Sequence, residues 1–323
     1  MISRAFTGSI QVTSFKLGCS ETYIITPPNP LFAMQKVAFL GTGLMGYNMA
    51  RRLAESGFSV TAWNRTLEKA MPLASHGVRV AADIGGAVEE AGIIAIMVSD
   101  DEASESVLEQ VFASAPKGAL VVNHSTVTPM HSGKMFQEAR RRGLFYVAIP
   151  VMGGPADAAR GELVGIAGGD VEKLDEIKAY REALFKSLHY VGGVEEALAV
   201  KLALNSIYFS AMMGLAEALV LAEAWGVTPQ KLFEIAGDLW IKPIVERYGN
   251  RLLSETYPVS FKMSLAAKDM NYAARSGAEK GFALPHIAAM AQALLLASNS
   301  GGLGEEDYTR IYKFLRGYKL ASK

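Results

Sequence analysis

From Val37 onward the chain alternates short apolar or β-branched runs with stretches of helical length. The runs are Val37 to Leu40, Phe58 to Trp63, Val78 to Val80, Ile93 to Val98, Ala119 to Asn123 and Leu144 to Ala148. They lack the every-second-residue alternation of a strand with one wet face. They therefore predict strands buried on both sides, in a parallel sheet with helices on either face. Two further runs, Leu163 to Ala167 and Leu188 to Val191, flank a charged helix from Val171 to Leu184 and extend the same sheet. After Val194 the strand signals stop. Glu195 to Trp225 reads as one long helix rich in Ala and Leu, halted at Gly226, and helix follows helix from there. Thr228-Pro229 supplies an N-cap and a first-turn proline, Ser264 to Gly277 forms another helix, and Pro285 opens a penultimate one. The pattern predicts an α/β domain over 35–194 and an all-helical domain over 195–323, a division that 323 residues accommodate comfortably.

Residues 1–34 read differently. They are rich in Ser, Thr and Pro (Thr26, Pro27, Pro28, Asn29, Pro30), without clear periodicity. Neither the arginine content of a transit peptide nor the compact apolar core of a secretory signal is convincing, so they are expected to be a disordered extension or the product of a start assigned upstream of Met34.

Lys plus Arg and Asp plus Glu are 32 each. This balance argues against a nucleic-acid surface or a polybasic membrane anchor and leaves a small molecule as the expected partner. No uninterrupted apolar run reaches the roughly 18 to 20 residues of a membrane span. Cys19, the only cysteine, has no internal disulfide partner, and no Cys/His cluster has metal-ligand spacing. No metal is expected, and the location is expected to be a reducing cytoplasm.

Gly41-Thr42-Gly43-Leu44-Met45-Gly46 follows the first strand and opens a helix that Gly57 stops. Strand, glycine turn and helix in that order make a Rossmann-type dinucleotide site. The first glycine allows the tight turn, the second lets a pyrophosphate approach the backbone, the third packs helix on strand, and the helix N-terminus presents NH groups to the anion. The second strand ends in Asn64, Arg65 and Thr66, with no acid to hold two ribose hydroxyls. A guanidinium there can pair with a 2′-phosphate while Asn64 and Thr66 offer neutral hydrogen bonds, so NADP (NADPH) is favoured over NAD.

These residues, with four later segments, carry a resemblance that spans the chain from about Gln35. Gly41 to Ala50, Asn123-His124-Ser125-Thr126-Val127-Thr128-Pro129, Pro150-Val151-Met152-Gly153-Gly154, Lys201 with Asn205, and Lys268-Asp269 resemble, in order, the motifs of the β-hydroxyacid dehydrogenases. This group includes 3-hydroxyisobutyrate dehydrogenase and the glyoxylate/succinic semialdehyde reductases, and its architecture is 6-phosphogluconate dehydrogenase-like. The resemblance implies a Rossmann domain followed by an all-α domain. It also implies an oxidoreductase interconverting a small 3-hydroxy acid, or related alcohol, and its aldehyde or ketone. Lys201 would then be the general acid and base, with Asn205 beside it one helical turn away. Ser125 and the amides of Gly153 and Gly154 would hold the substrate. Lys268 would lie near substrate or nicotinamide, with Asp269 steadying the domain junction, and Met97, Val98, Ser99 and Thr126 would lie along the cofactor.

Two departures stand out. Met152 replaces the serine usual in the substrate loop, and Glu195-Glu196 stand where the family has glycine and small residues. Met152, with Trp240, Phe261 and Tyr208, would make the pocket more apolar and admit a bulkier or less acidic carbonyl. An imine reductase-like activity and a non-catalytic NADP-binding scaffold stay as alternatives; retention of Lys201 speaks for carbonyl chemistry. The apolar helical domain is expected to build a homodimer or homotetramer.

Overall fold

The computed structural model describes residues 35–317 in full. Of residues 1–34 it describes the backbone of three strands, β1 (Ser3–Thr7), β2 (Ile10–Leu17) and β3 (Ser20–Thr26), paired antiparallel in a sheet of their own. The sequence reading foresees no regular element there. The rest of that stretch, and residues 318–323, lie outside the described residues.

The chain divides into two compact units, Met1–Ser125 with His131–Ala197, and Thr126–Met130 with Leu198–Lys323. In the first, β4 (Lys36–Leu40), β5 (Ser59–Trp63), β6 (Arg79–Val80), β7 (Ile93–Ile96), β8 (Leu120–Asn123) and β9 (Phe145–Ala148) form a parallel array in the order β9-β8-β7-β4-β5-β6. The chain winds outward from β4 to β6 and returns to β7 on the other side of β4. The carboxyl ends of β4 and β7 therefore flank the point where strand order reverses, the usual ligand crevice of such sheets. The edge beyond β9 is antiparallel. β10 (Val151–Met152) and β9 both pair antiparallel with β11 (Leu163–Gly169), and β12 (Phe185–Tyr190) runs parallel to β11.

Helices α1 (Leu44–Glu55), α2 (Ile84–Val88), α3 (Asp101–Ser114), α4 (Pro129–Arg141) and α5 (Pro155–Arg160) connect these strands. The charged helix expected over 171–184 is broken at Ile177 into α6 (Glu172–Glu176) and α7 (Lys178–Leu184). Phe39, Met49, Leu53, Val122, Val147 and Tyr180 lie in one continuous core. His124 is fully buried in this unit. Its Nδ1 lies 2.8 Å from Ile149 O and its Nε2 2.7 Å from the Tyr180 hydroxyl. Burial pushes its pKa down to about 4, so the ring is a neutral structural group and takes no part in the chemistry below.

The second unit carries α8 (Val194–Ala224) from Leu198 onward, α9 (Pro229–Ala236), α10 (Lys242–Leu253), α11 (Met263–Glu279), α12 (Pro285–Asn299) and α13 (Ile311–Gly317). Thr228 caps α9 through its hydroxyl, as its place before Pro229 predicts. Among the described residues α8 alone is long and apolar enough to cross a bilayer, although Lys201 and Glu217 interrupt its apolar run. Its Phe209, Met212, Ala216 and Leu219 are instead built into a core with Tyr248, Met270, Leu294 and Ile311. Asp307, fully buried, organises the far end. It accepts from Ser260 N and Oγ and from Thr309 Oγ1, and these bonds hold its carboxyl below the usual range against the upward push of burial.

Candidate active site

In the first unit the glycine turn leaves β4 at Gly41, whose φ of +100° is a left-handed conformation that side chains resist. A Cβ built there would stand 2.2 Å from Met97 O, so the loop after β4 rests directly on the loop after β7. A Cβ at Gly46 would stand 2.0 Å from Gly41 O, which lets α1 start tight against its own turn. Gly43 is the opposite case, because a Cβ there would meet nothing within 4 Å. It is also the N-cap of α1, with no side-chain cap and no acid in the first turn. The helix start is thus a set of amide donors that no side chain of the helix satisfies. Thr42 Oγ1 is buried without a hydrogen-bond partner among the described residues. An open cradle, uncapped amides and an orphaned hydroxyl fit the pyrophosphate of a dinucleotide. Leu44 and Met45 form the first turn of the helix behind it.

Asn64 closes the turn from the side: its Oδ1 accepts from Thr42 N at 3.0 Å and its Nδ2 donates to Thr66 O at 2.8 Å. The amide offered from the sequence as a cofactor contact thus also braces the loop. Arg65 and Thr66 are exposed beyond β5, and Arg65 has no ion-pair partner among the described residues. Met97 and Val98 are half-buried and Ser99 exposed, past the end of β7. Ser125 is buried, with its Oγ accepting from Val98 N at 2.9 Å and its N donating to Asn123 Oδ1. It therefore ties the end of β8 to that of β7, a role the sequence reading does not give it.

In the substrate loop Gly153 takes φ +126° and Gly154 an extended conformation. The Gly154 amide, expected to receive substrate, donates to Asp157 Oδ2 at 2.8 Å, and Arg160 holds the other oxygen of that carboxylate at 2.7 Å. Met152 pairs with Val164 in β10, half-buried.

The second unit holds the polar cluster. Lys201 and Asn205 project from one face of α8, both buried, and Lys201 Nζ donates to Asn205 Oδ1 at 3.1 Å. Asn205 Nδ2 donates to Asp269 Oδ2 at 2.7 Å, and Asp269 Oδ1 lies 3.0 Å from Lys268 Nζ. Lys268 Nζ donates in turn to Thr126 O at 2.6 Å. Burial lowers the pKa of Lys201, Asp269 raises it and Lys268 lowers it, and the balance is about 8. A buried ammonium that gives up its proton near neutral pH is equipped for proton transfer to or from oxygen. Phe261 packs in the helical core against Phe209 and Tyr308 because its ring completes an aromatic cluster, and Trp240 is 86% exposed. Glu195 lies over α4, where a Cβ at Gly133 would meet its carboxylate.

Residues 36–192 match the NAD binding domain of 6-phosphogluconate dehydrogenase, and residues 196–315 match the NAD-binding domain of NADP-dependent 3-hydroxyisobutyrate dehydrogenase. Glyoxylate/succinic semialdehyde reductase 1 of Arabidopsis thaliana is 31% identical over 286 residues, 87% of this chain and 98% of that protein. The chain belongs to the β-hydroxyacid dehydrogenase family. Among solved structures, a 3-hydroxyisobutyrate dehydrogenase of Mycobacterium tuberculosis with L-serine superposes with a TM-score of 0.75 at 24% identity, covering 88% of this chain and 99% of that one. An imine reductase from Pseudomonas sp. superposes at 0.59 with 23% identity, covering 87% and 99%. Both likenesses are of fold alone. As a β-hydroxyacid dehydrogenase the protein is a nicotinamide-dependent oxidoreductase with a Rossmann domain and an all-α domain. In its substrate loop Met152 stands where the resembling motif has serine, and the Asp157 carboxylate accepts from Gly154 N.

Proposed function

We propose that this β-hydroxyacid dehydrogenase uses NADP(H) to interconvert a small 3-hydroxy acid, or a related alcohol, and its aldehyde or ketone. The observation that carries this reading is the buried Lys201 ammonium, bonded to Asn205 and with its pKa lowered to about 8. Bound NADPH supplies hydride to the carbonyl carbon. Lys201 gives a proton to the carbonyl oxygen in the same reduction, so no alkoxide builds up, and takes that proton back in the oxidation. Ser125, Gly153 and Lys268 are the proposed groups at the substrate. Retained lysine chemistry favours C=O over C=N as the reducible bond. The test is NADPH oxidation with glyoxylate, succinic semialdehyde, methylmalonate semialdehyde, tartronate semialdehyde and a cyclic imine. Turnover of one or more carbonyls is expected to exceed that of the imine, and a preference for the imine would overturn the reading.

Arg65 supports the choice of NADP. Its exposed guanidinium follows the second parallel strand, where no acid stands to repel a 2′-phosphate. A charge-assisted pair is worth about 1.5–3 kcal/mol, so Arg65→Ala is expected to raise KM for NADPH by about tenfold or more and leave KM for NADH nearly unchanged. An equal effect on both dinucleotides would remove Arg65 from the cofactor site.

The helical unit also leaves Ile207, Leu221 and Trp225 exposed along and just beyond α8. These exposed apolar side chains support assembly into a homodimer or homotetramer through this unit. Sedimentation equilibrium is expected to give two or four times the chain mass, with Leu221→Arg shifting it toward one. A wild-type monomer would refute the assembly.

A further inference from the structure

A primary amide is nearly symmetric in shape but not in function, since one end accepts and the other donates. Asn205 serves Lys201 only with its oxygen turned toward the ammonium, at the observed 3.1 Å. The opposite end of the same amide donates to Asp269 Oδ2 at 2.7 Å, from a residue 64 positions along the chain. Asp269 is fully buried. An ionised carboxylate offers acceptors alone, so it admits one orientation of the amide. Lys268, 3.0 Å from the other carboxylate oxygen, compensates the charge and is itself anchored on Thr126 O.

We propose that Asp269 is the positioning residue of this site: by taking the NH2 end of Asn205 it turns the amide oxygen onto Lys201. The consequence for turnover rests on the proton-transfer role proposed above; the geometry does not. With the carboxylate gone, the amide is free to present NH2 to Lys201, an arrangement that favours the neutral amine over the ammonium. The charges point the same way, because Asp269 raises the pKa of Lys201 while burial and Lys268 lower it. Asp269 and Lys268 are thus charged groups that act on Lys201 from α11.

The isosteric Asp269→Asn has one acceptor for two donors, the Asn205 amide and the Lys268 ammonium. It is expected to lower kcat at least tenfold, with KM for NADPH changed less than about threefold. It should also lower the Lys201 titration midpoint by about a unit, read from the 13Cε resonance of labelled lysine without any turnover. Because Asp269 orients Lys201's partner through Asn205, the double variant Asp269→Asn/Asn205→Leu should be no slower than Asn205→Leu alone when carbonyl reduction is measured at about pH 6, where Lys201 stays protonated in both. Additive losses, or an unmoved Lys201 midpoint, would overturn the assignment. Should Asp269→Asn not fold, the wild type decides: the Asn205 side-chain NH2, bonded to a buried carboxylate, should exchange slowly with solvent, and fast exchange refutes the proposal. A wild type that reduces no carbonyl would sink the proposed function and leave the titration to judge Asp269.

Discussion

Lys201→Met is expected to lower turnover in carbonyl reduction by about a thousandfold, with NADPH affinity within about threefold of the wild type. General acid catalysis contributes about 10²–10⁴ in rate, and no other residue of the cluster replaces the lost proton. Lys268 is committed to Thr126 O and to the Asp269 carboxylate, and Asn205 is a neutral amide. The substitution trades a buried charge for an apolar side chain of similar length, which offsets the loss of the donor to Asn205 Oδ1, so the thermal midpoint should stay within about 5 °C of the wild type. This separates loss of chemistry from loss of fold. The pH profile gives an independent check. Reduction needs Lys201 protonated, so its rate should decline as pH rises through about 8, and oxidation needs the neutral amine, so its rate should climb through the same range. Both limbs should be missing from whatever activity remains in the variant. A Lys201→Met enzyme with wild-type turnover would end the proton-transfer role.

The sheet and the cofactor turn were legible in the sequence because each rests on local pattern. Buried strands show as unbroken apolar runs, and the three glycines mark three distinct steric needs within six residues. Lys201 and Asn205 were legible as a pair because one helical turn brings them together. What stayed hidden depends on contacts distant in sequence or on very short elements. β10 is two residues long and has no periodicity to read. The link from Asn205 to Asp269 crosses 64 positions, so the motif offers Asp269 only as a brace of the domain junction. Ser125 was read as a substrate contact, and its brace to Val98 follows only from the adjacency of β7 and β8. The seat of Asp157 on Gly154 had a local signal, an acid three residues into a helix begun by Pro155.

Two substitutions in the glycine turn should part company, although they lie two positions apart. Gly41→Ala forces a side chain into φ +100° and places a Cβ 2.2 Å from the Met97 carbonyl oxygen, a backbone atom that cannot swing aside. The conformational penalty alone is about 1–3 kcal/mol, and relief of the clash requires the ends of β4 and β7 to separate. The thermal midpoint is therefore expected to fall by roughly 10 °C, and dinucleotide binding with it. Gly43→Ala meets no atom within 4 Å and keeps an ordinary backbone, φ −70° and ψ −168°, so the fold should be unaffected. The new methyl group instead fills the cradle at the uncapped start of α1, where the pyrophosphate must approach the amides. KM for NADPH should rise about tenfold or more while the thermal midpoint of the free protein stays within about 2 °C of the wild type. Scanning calorimetry without cofactor and initial rates with it distinguish the pair. If Gly43→Ala binds NADPH as tightly as the wild type, the dinucleotide does not pass over this turn, and the cofactor site lies elsewhere on the sheet.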